Sequence, residues 1–125
     1  MKFFRLLLLL SLALQIQSEQ LKNILFVGNS YLYYNNSVHN YVEPMLREHH
    51  GSEIETKLSA IGGSKLYHHN IDHLLNPKNL NLDQQIDLLI MQGGSTEVVS
   101  EKDQEKFIQT VQQYSAKAQK LGVKT

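Results

Sequence analysis

Three short polar segments of the 125-residue chain contain residue types that can carry out acyl transfer. They are Gly28-Asn29-Ser30, Gly62-Gly63-Ser64 and Gln92-Gly93-Gly94-Ser95. A serine hydroxyl such as that of Ser30 can act as a nucleophile, and glycines let the backbone turn sharply and present N–H groups to a developing oxyanion. Together the segments have the parts of a nucleophile with an oxyanion hole.

The residues before each segment predict a β-strand that ends there. Residues 23–27 form a short apolar run, as in strands that are buried on both faces of a parallel sheet. Residues 53–59 alternate between apolar and polar types, and residues 86–91 are again mostly apolar. Because ligands bind outside the carboxyl ends of the strands in an open parallel sheet, we expect the three segments to form one site.

Helical periodicity between and after the strands completes a βαβαβα order. Ser37 can cap a helix that contains Pro44, which either kinks this helix or marks its start. A short helix over residues 66–75 and a long amphipathic helix over residues 100–121 follow. This alternation predicts an α/β fold, a three-layer α/β/α sandwich with a parallel sheet. Residues 123–125 are typical of the beginning of a fourth strand.

The three segments resemble, in order, the sequence blocks of the SGNH (GDSL-like) hydrolases. Residues 24–30 are similar to the first block, whose strand ends in Gly-Asp-Ser with the serine as nucleophile. Asn29 stands where that aspartate is usual, as in a bacterial branch with a Gly-Asn-Ser signature. Residues 60–64, with Leu66 and His69, look like the second block, whose glycine donates a backbone N–H to the oxyanion.

The resemblance implies a role for each of these residues. Ser30 would attack an ester carbonyl, while the backbone N–H groups of Ser30 and Gly63 hold the oxyanion. In the third block the family pattern Gly-x-Asn-Asp is not kept, so Gln92 and Ser95 are the candidates for its side-chain donor. Asn29 either donates its amide to the oxyanion or stabilises the turn, and we favour the turn.

SGNH hydrolases also need a carboxyl-terminal Asp-x-x-His, which supplies the general base and the acid that orients it. This pair is not in the sequence, and the resemblance covers about residues 21–125. We therefore expect residues 19–125 to be the amino-terminal part of a flavodoxin-like SGNH domain whose carboxyl-terminal part is missing. We expect this fragment to be inactive.

The whole domain would be a serine hydrolase of ester bonds, namely an esterase, a lipase or a carbohydrate deacetylase. Its substrate would be a small-molecule or glycan ester, and its chemistry needs no cofactor. The alternative is a non-catalytic carbohydrate-binding domain on the same fold. A phosphate binder is a weaker hypothesis, because Gly28-Asn29-Ser30 lacks the remaining glycines or the lysine of a phosphate loop.

Tyrosines and histidines supply further candidate site residues. Tyr31, Tyr33 and Tyr34 follow the first segment, where aromatic rings can stack on a sugar, cover an acyl group or pack onto the next helix. The resemblance puts His69 near the substrate crevice, so we predict that Tyr31, Tyr33 and His69 bind substrate. His69 and His73 are one helical turn apart, but zinc needs a third ligand, and we interpret them as part of a polar helix face without a metal.

Residues 1–18 are typical of a secretory signal peptide. Lys2 and Arg5 precede an almost wholly apolar run over residues 6–14. At about 1.5 Å per residue this run is too short to cross a hydrocarbon core of about 30 Å. We therefore expect cleavage after Ser18 and a secreted or periplasmic protein without a stable membrane span.

Composition excludes several other functions. The 12 basic and 12 acidic residues give a formal charge of zero, and no basic stripe is present, so we predict no nucleic-acid partner. The absence of cysteine excludes thiol catalysis, disulfides and cysteine zinc sites. The sequon Asn35-Asn36-Ser37 would carry a glycan only in a eukaryotic secretory pathway.

Overall fold

The computed structural model describes residues 21–51 and 53–125. The signal peptide expected over residues 1–18, with its cleavage site after Ser18, lies outside the described residues. The described chain has a mixed α/β fold with one sheet of three parallel strands in the order β2-β1-β3. The strands are β1 (Asn23–Gly28), β2 (Glu55–Ala60) and β3 (Leu88–Met91). The predicted parallel sheet is therefore confirmed.

Four α-helices and three 3₁₀ turns connect and follow these strands. The helices are α1 (Ser30–Tyr33), α2 (Val38–His50), α3 (Ile71–Leu74) and α4 (Glu101–Lys120). The 3₁₀ turns are Leu66–His68, Pro77–Leu80 and Ser95–Val98. Helix α4 begins where the sequence predicts, because the Ser100 hydroxyl accepts a hydrogen bond from the Asp103 N–H at 3.2 Å. Over the described residues, none of the helices has the length and apolar character needed to span a membrane.

The structure differs from the sequence prediction at three places. The segment directly after Asn29, where the sequence analysis places no helix, begins with the helical turn of α1. The helix predicted over residues 66–75 is two shorter pieces, because the Asn70 side chain accepts from the His73 N–H and starts α3 as a separate helix. Pro44 lies inside α2, which already begins at Val38, so the proline does not mark the helix start.

Every residue of β1 is buried, which explains its continuous apolar sequence. Leu25 and Val27 belong to the larger apolar cluster, whereas Ile24 and Phe26 belong to a second, separate cluster. The larger cluster also contains buried side chains from β3, α3, α4 and the segments next to them: Leu66, Ile71, Leu74, Leu75, Leu82, Ile86, Leu89, Tyr114, Ala118 and Val123. Alternate residues of β1 therefore pack on opposite faces of the sheet. Because β1 also lies between β2 and β3, it is the central strand of the sheet.

The chain after α4 returns to the sheet beside β3. The backbone N–H of Leu89 donates to the Lys124 carbonyl at 2.8 Å, and the Lys124 N–H donates to the Asp87 carbonyl at 2.9 Å. These bonds form a parallel bridge between Leu88 and Lys124. Residues 123–125 thus make the predicted first step of a fourth strand next to β3.

The central position of β1 predicts a large energetic effect for Leu25→Ala. Leu25 is fully buried, so we expect the substitution to lower the free energy of unfolding by about 2–5 kcal/mol, through lost burial and a cavity. Leu121→Ala is the matched control, because Leu121 is half exposed; its effect should stay within about 0.5 kcal/mol. Urea denaturation measures both changes. Equal losses at the two positions would contradict the burial pattern.

Candidate active site

A cleft of about 340 Å³ lies at the carboxyl ends of the three strands. Its lining residues are Asn29, Ser30, Tyr31, Tyr34, Gly63, Ser64, Gly94, Ser95 and Thr96. Residues of all three polar segments therefore meet at one site. The chain passes from β1 to β2 on one side and then to β3 on the other, so the cleft lies where the direction of the crossovers reverses. This is the position where open parallel sheets bind ligands.

The side chain of Asn29 joins the three segments. It is only 3% exposed, and its Oδ1 accepts a hydrogen bond from the Tyr31 N–H at 3.1 Å, which caps α1. Its Nδ2 donates to the Ser64 carbonyl at 3.1 Å and to the Gly93 carbonyl at 3.3 Å. Both amide hydrogens are thus used within the protein, which is the turn-stabilising arrangement rather than one that presents the amide to a ligand.

Gln92 supports the first segment from β3. Its Oε1 accepts from the backbone N–H of Asn29 at 3.1 Å, and its Nε2 donates to the Gly93 carbonyl. A Cβ at residue 28 would lie 2.7 Å from this Oε1 and 2.8 Å from Leu32 Cδ1, so a larger residue than Gly28 would have to displace both side-chain ends. Gln92 is not among the residues that line the cleft, whereas Ser95, the other candidate side-chain donor, is.

Glu97 holds the second and third segments together, and the sequence analysis did not single it out. Its side chain is 1% exposed, and its carboxylate oxygens accept from the Leu66 N–H at 3.1 and 3.2 Å and from the Gly94 N–H. A Cβ at residue 94 would lie 3.0 Å from the Ser64 carbonyl, so the two segments are in close contact. A sequence signal exists, because Glu97 follows Gly94 at the three-residue spacing of a capping carboxylate.

Ser30 and Gly63 present groups that are free to meet a ligand. Ser30 is partly exposed, and within the described residues its Oγ has no hydrogen-bond partner. The backbone N–H groups of Ser30 and Gly63 likewise have no acceptor in the described chain. Gly63 has a φ of +68°, a backbone conformation that glycine adopts readily. One hydroxyl and two N–H donors are therefore available in the same cleft.

Among the described residues, those that line the cleft include no ionisable group other than the two tyrosines. None of its residues is a histidine, aspartate, glutamate, lysine or arginine. A serine nucleophile depends on a neighbouring base to accept its proton. Within the described residues, the lining of the cleft supplies no such base to Ser30.

His69 does not line the cleft but lies buried beside the end of β1. It is 5% exposed, and its Nε2 lies 2.8 Å from the Gly28 carbonyl. Because a carbonyl only accepts, Nε2 carries the proton, and Nδ1 can accept from the Ser59 hydroxyl at 3.5 Å. Burial lowers the pKa of His69 from its ordinary value of 6.5, and the hydrogen bond to Gly28 opposes this shift.

Tyr31 and Tyr34 line the cleft, whereas Tyr33 does not line it and packs against Tyr34. Tyr34 directly follows α1 as its C-cap residue, three positions after Tyr31. The Tyr33 ring packs edge-on against that of Tyr34 with centroids 5.4 Å apart, and its hydroxyl lies close to Gly62. Of the two predicted substrate-binding tyrosines, Tyr31 therefore lines the cleft and Tyr33 does not, whereas Tyr34 lines it without having been predicted.

His68 and His73, which follow the second segment, each have a separate partner. His68 Nδ1 accepts from the Lys65 N–H at 3.1 Å, and His73 Nδ1 lies 3.2 Å from Asn79 Nδ2. In the described ranges, no three histidine, aspartate or glutamate side chains are grouped so that they could hold a metal ion. The spacing of His69 and His73 therefore does not produce a shared site in this structure.

Comparisons with protein-family models, with curated proteins and with solved structures find no match to this chain. The chemistry of the cleft is therefore interpreted from its own residues. Those residues provide a free serine hydroxyl, unpaired backbone donors and two tyrosine rings on a neutral surface.

The contacts of Asn29 predict that Asn29→Asp becomes less stable as the pH rises. The carboxylate would keep the capping bond to Tyr31 but place an oxygen against the carbonyls of Ser64 and Gly93. Burial and these carbonyls raise the pKa of the new carboxyl, so the folded state binds a proton that the unfolded state has lost. Relative to the wild type, the variant should lose stability between about pH 4 and about pH 7.

The measurement is urea denaturation across this pH range. Asn29→Ala is the control, because it removes all three hydrogen bonds without adding a titratable group. We expect its loss of stability to be the same at each pH. An Asn29→Asp variant that follows the wild type throughout would contradict the donor role of the amide.

Burial of neutral His69 predicts a loss of stability at low pH. Because its pKa is lower in the folded state, the unfolded state binds the proton first, and stability falls as the pH drops below about 6.5. His69→Gln keeps an amide donor for the Gly28 carbonyl but does not titrate. As the pH is lowered from about 8 to about 5, the wild type should lose stability relative to this variant in thermal or urea unfolding. Parallel curves would contradict the prediction.

Proposed function

We propose that this chain is the amino-terminal part of a serine hydrolase of the SGNH type that acts on ester bonds. The observation that carries the proposal is that the free hydroxyl of Ser30 and the free N–H groups of Ser30 and Gly63 line one cleft at the strand ends. A nucleophile and its oxyanion donors must meet around one reacting atom. Three strand-end segments that meet in this way support a role in acyl transfer better than they support a purely structural role as turns.

In the proposed reaction, Ser30 Oγ attacks the ester carbonyl carbon. The carbonyl oxygen becomes an oxyanion that accepts from the backbone N–H groups of Ser30 and Gly63, with the Ser95 hydroxyl as a third donor. The bond to the alkoxide leaving group then breaks, which leaves an acyl group on Ser30. Water later attacks this acyl-enzyme and releases the acid and the free serine.

The proton of Ser30 needs an acceptor that the cleft lining does not contain. We propose that an Asp-x-x-His outside these 125 residues supplies it, on the remaining part of a flavodoxin-like, three-layer α/β/α sandwich. The strand order β2-β1-β3, with residue 124 beside β3, is compatible with that fold. Loss of the base costs roughly 10⁴-fold or more in rate, so these residues alone should be nearly inactive.

The proposed signal peptide indicates where the substrate would be found. A signal peptide over residues 1–18 would direct the protein to the periplasm or outside the cell. The ester substrate would then be extracellular or periplasmic.

A non-catalytic carbohydrate-binding domain is the second candidate function. The observation that favours it is the absence of a histidine or carboxylate from the cleft lining. This function needs ligand binding but no reaction at Ser30, so chemistry at that residue separates the two candidates.

The proposal predicts that added imidazole restores acylation of Ser30. With p-nitrophenyl acetate alone, the protein should release p-nitrophenol no faster than its Ser30→Ala variant, because the cleft lining contains no base within the described residues. With imidazole as a diffusible base, we expect faster release than from Ser30→Ala. Mass spectrometry of the tryptic peptide should then find an acetyl group on Ser30.

Ser37→Ala is the matched control, because Ser37 is a serine outside the cleft lining; it should behave as the wild type does. The absence of any Ser30-dependent acetylation with imidazole would count against the hydrolase and favour the binding domain. Ser30-dependent turnover without imidazole would contradict the proposed external base.

A further inference from the structure

We infer that the mouth of the cleft is a docking surface for an electrically neutral lipid layer, such as a phosphatidylcholine membrane. The docking surface consists of five exposed side chains, which we call the apolar rim: Tyr31, Tyr34, Ile61, Val98 and Val99. The inference concerns the surface to which the protein binds and not the ester on which it acts. It is carried by the position and exposure of these side chains and by the charge of the segments that hold them.

The apolar rim extends on both sides of the cleft, because its residues follow different strands. Tyr31 and Tyr34 follow β1 and line the cleft. Ile61 directly follows β2, and Val98 and Val99 lie at the end of the 3₁₀ turn after β3. Since β2 and β3 lie on opposite sides of β1 and all three strands are parallel, these side chains meet at one end of the molecule.

The two valines of the rim are adjacent in the chain and point into solvent. Val98 and Val99 are 64% and 77% exposed. The preceding residue, Glu97, is buried and binds the backbone N–H groups of Leu66 and Gly94, so it fixes the turn that carries both valines. Single exposed apolar side chains are common on soluble proteins, whereas a group of them at one end of a molecule marks a binding surface.

The segments that carry the rim present no charge to solvent. Residues 29–38, 61–64 and 92–100 contain one acidic or basic side chain, the buried Glu97, although the chain has 12 basic and 12 acidic residues. Next to these segments, Lys65 and Asp103 form an ion pair at 2.7 Å. Nucleic acids and anionic lipids are attracted by exposed lysine and arginine side chains, which these segments lack. The charge pattern therefore favours a partner without net charge.

Two properties of the rim favour a lipid layer over a protein partner. Tyrosine rings suit the boundary between lipid headgroups and acyl chains, because the ring is apolar and the hydroxyl can stay hydrated. A protein that covered the rim would also close the cleft between its two sides, whereas a fluid lipid layer accepts inserted side chains without a fixed shape. This second argument rests on the proposed function, since the ester must reach Ser30.

The test is cosedimentation with vesicles of ether-linked phosphatidylcholine, which contains no carboxylic ester and is therefore not a substrate. The protein used begins at Glu19, because the apolar run over residues 6–14 would bind lipid by itself; this chain contains every described strand and helix. We expect it to bind these vesicles with an affinity that changes less than about twofold between about 0.05 and 0.5 M NaCl, since charge attraction is not involved.

Val98→Ser/Val99→Ser should weaken vesicle binding roughly tenfold or more, because two apolar side chains no longer enter the lipid. Ile61→Ser, on the other side of the cleft, should weaken it roughly three- to tenfold. Leu121→Ser is the matched control, since Leu121 is 52% exposed at the opposite end of α4; its affinity should equal that of the wild type. The amide NMR spectrum of each variant shows whether it is folded.

Absence of vesicle binding would overturn the inference, as would binding that both rim variants leave unchanged. Binding that requires anionic phosphatidylglycerol and disappears at high salt would also overturn it, because charge rather than the rim would then be responsible. Self-association that Val98→Ser/Val99→Ser abolishes, without vesicle binding, would assign the rim to a second copy of the chain instead of a lipid layer.

Vesicle binding needs no turnover, so this test is independent of the acylation of Ser30. Vesicle binding without acetylation of Ser30 in the presence of imidazole would reject the hydrolase while supporting the lipid-docking surface. Acetylation of Ser30 without vesicle binding would support the hydrolase and reject the lipid-docking surface.

Discussion

The buried side-chain amide of Asn29 is the interaction on which the shape of the cleft depends. Its oxygen accepts from the backbone of its own segment, and its two N–H bonds reach the carbonyls of Ser64 and Gly93, which follow β2 and β3. A buried amide with all of these partners favours a single arrangement, because moving any one segment leaves a polar group buried without a hydrogen bond. The three strand ends therefore behave as one unit.

Other polar side chains of the site extend this unit by binding backbone groups of neighbouring segments. His69 donates to the carbonyl of Gly28, Gln92 accepts from the N–H of Asn29, and Glu97 accepts from the N–H groups of Leu66 and Gly94. Bonds to the backbone hold the path of a segment, so they position residues that these side chains do not themselves touch. The polar groups of the site thus divide into those that hold the loops and those that remain free in the cleft.

The free groups of the cleft can take part in ligand binding but not in the deprotonation of Ser30. The free groups of the cleft, the hydroxyl and N–H of Ser30, the N–H of Gly63 and the rings of Tyr31 and Tyr34, can bind an uncharged polar ligand. None of them is a histidine or a carboxylate, the side chains that most often accept the proton of a serine nucleophile. Under the proposed function, the described residues bind the ester and place Ser30 for attack on it. The group that accepts the proton of Ser30 lies outside these residues.

The sequence alone determined the parallel sheet, the burial of β1 on both faces and the meeting of the three polar segments. These features follow from local apolar patterns and from the rule that parallel strands end at one edge of a sheet. Only the tertiary structure decided that Tyr34 rather than Tyr33 lines the cleft, that His69 is buried, and that Gln92 and Glu97 hold loops. The bonds of these last three residues join groups that lie far apart along the chain or depend on a close approach of two loops. A residue type is compatible with many such partners, and only the packing of the whole chain selects one of them.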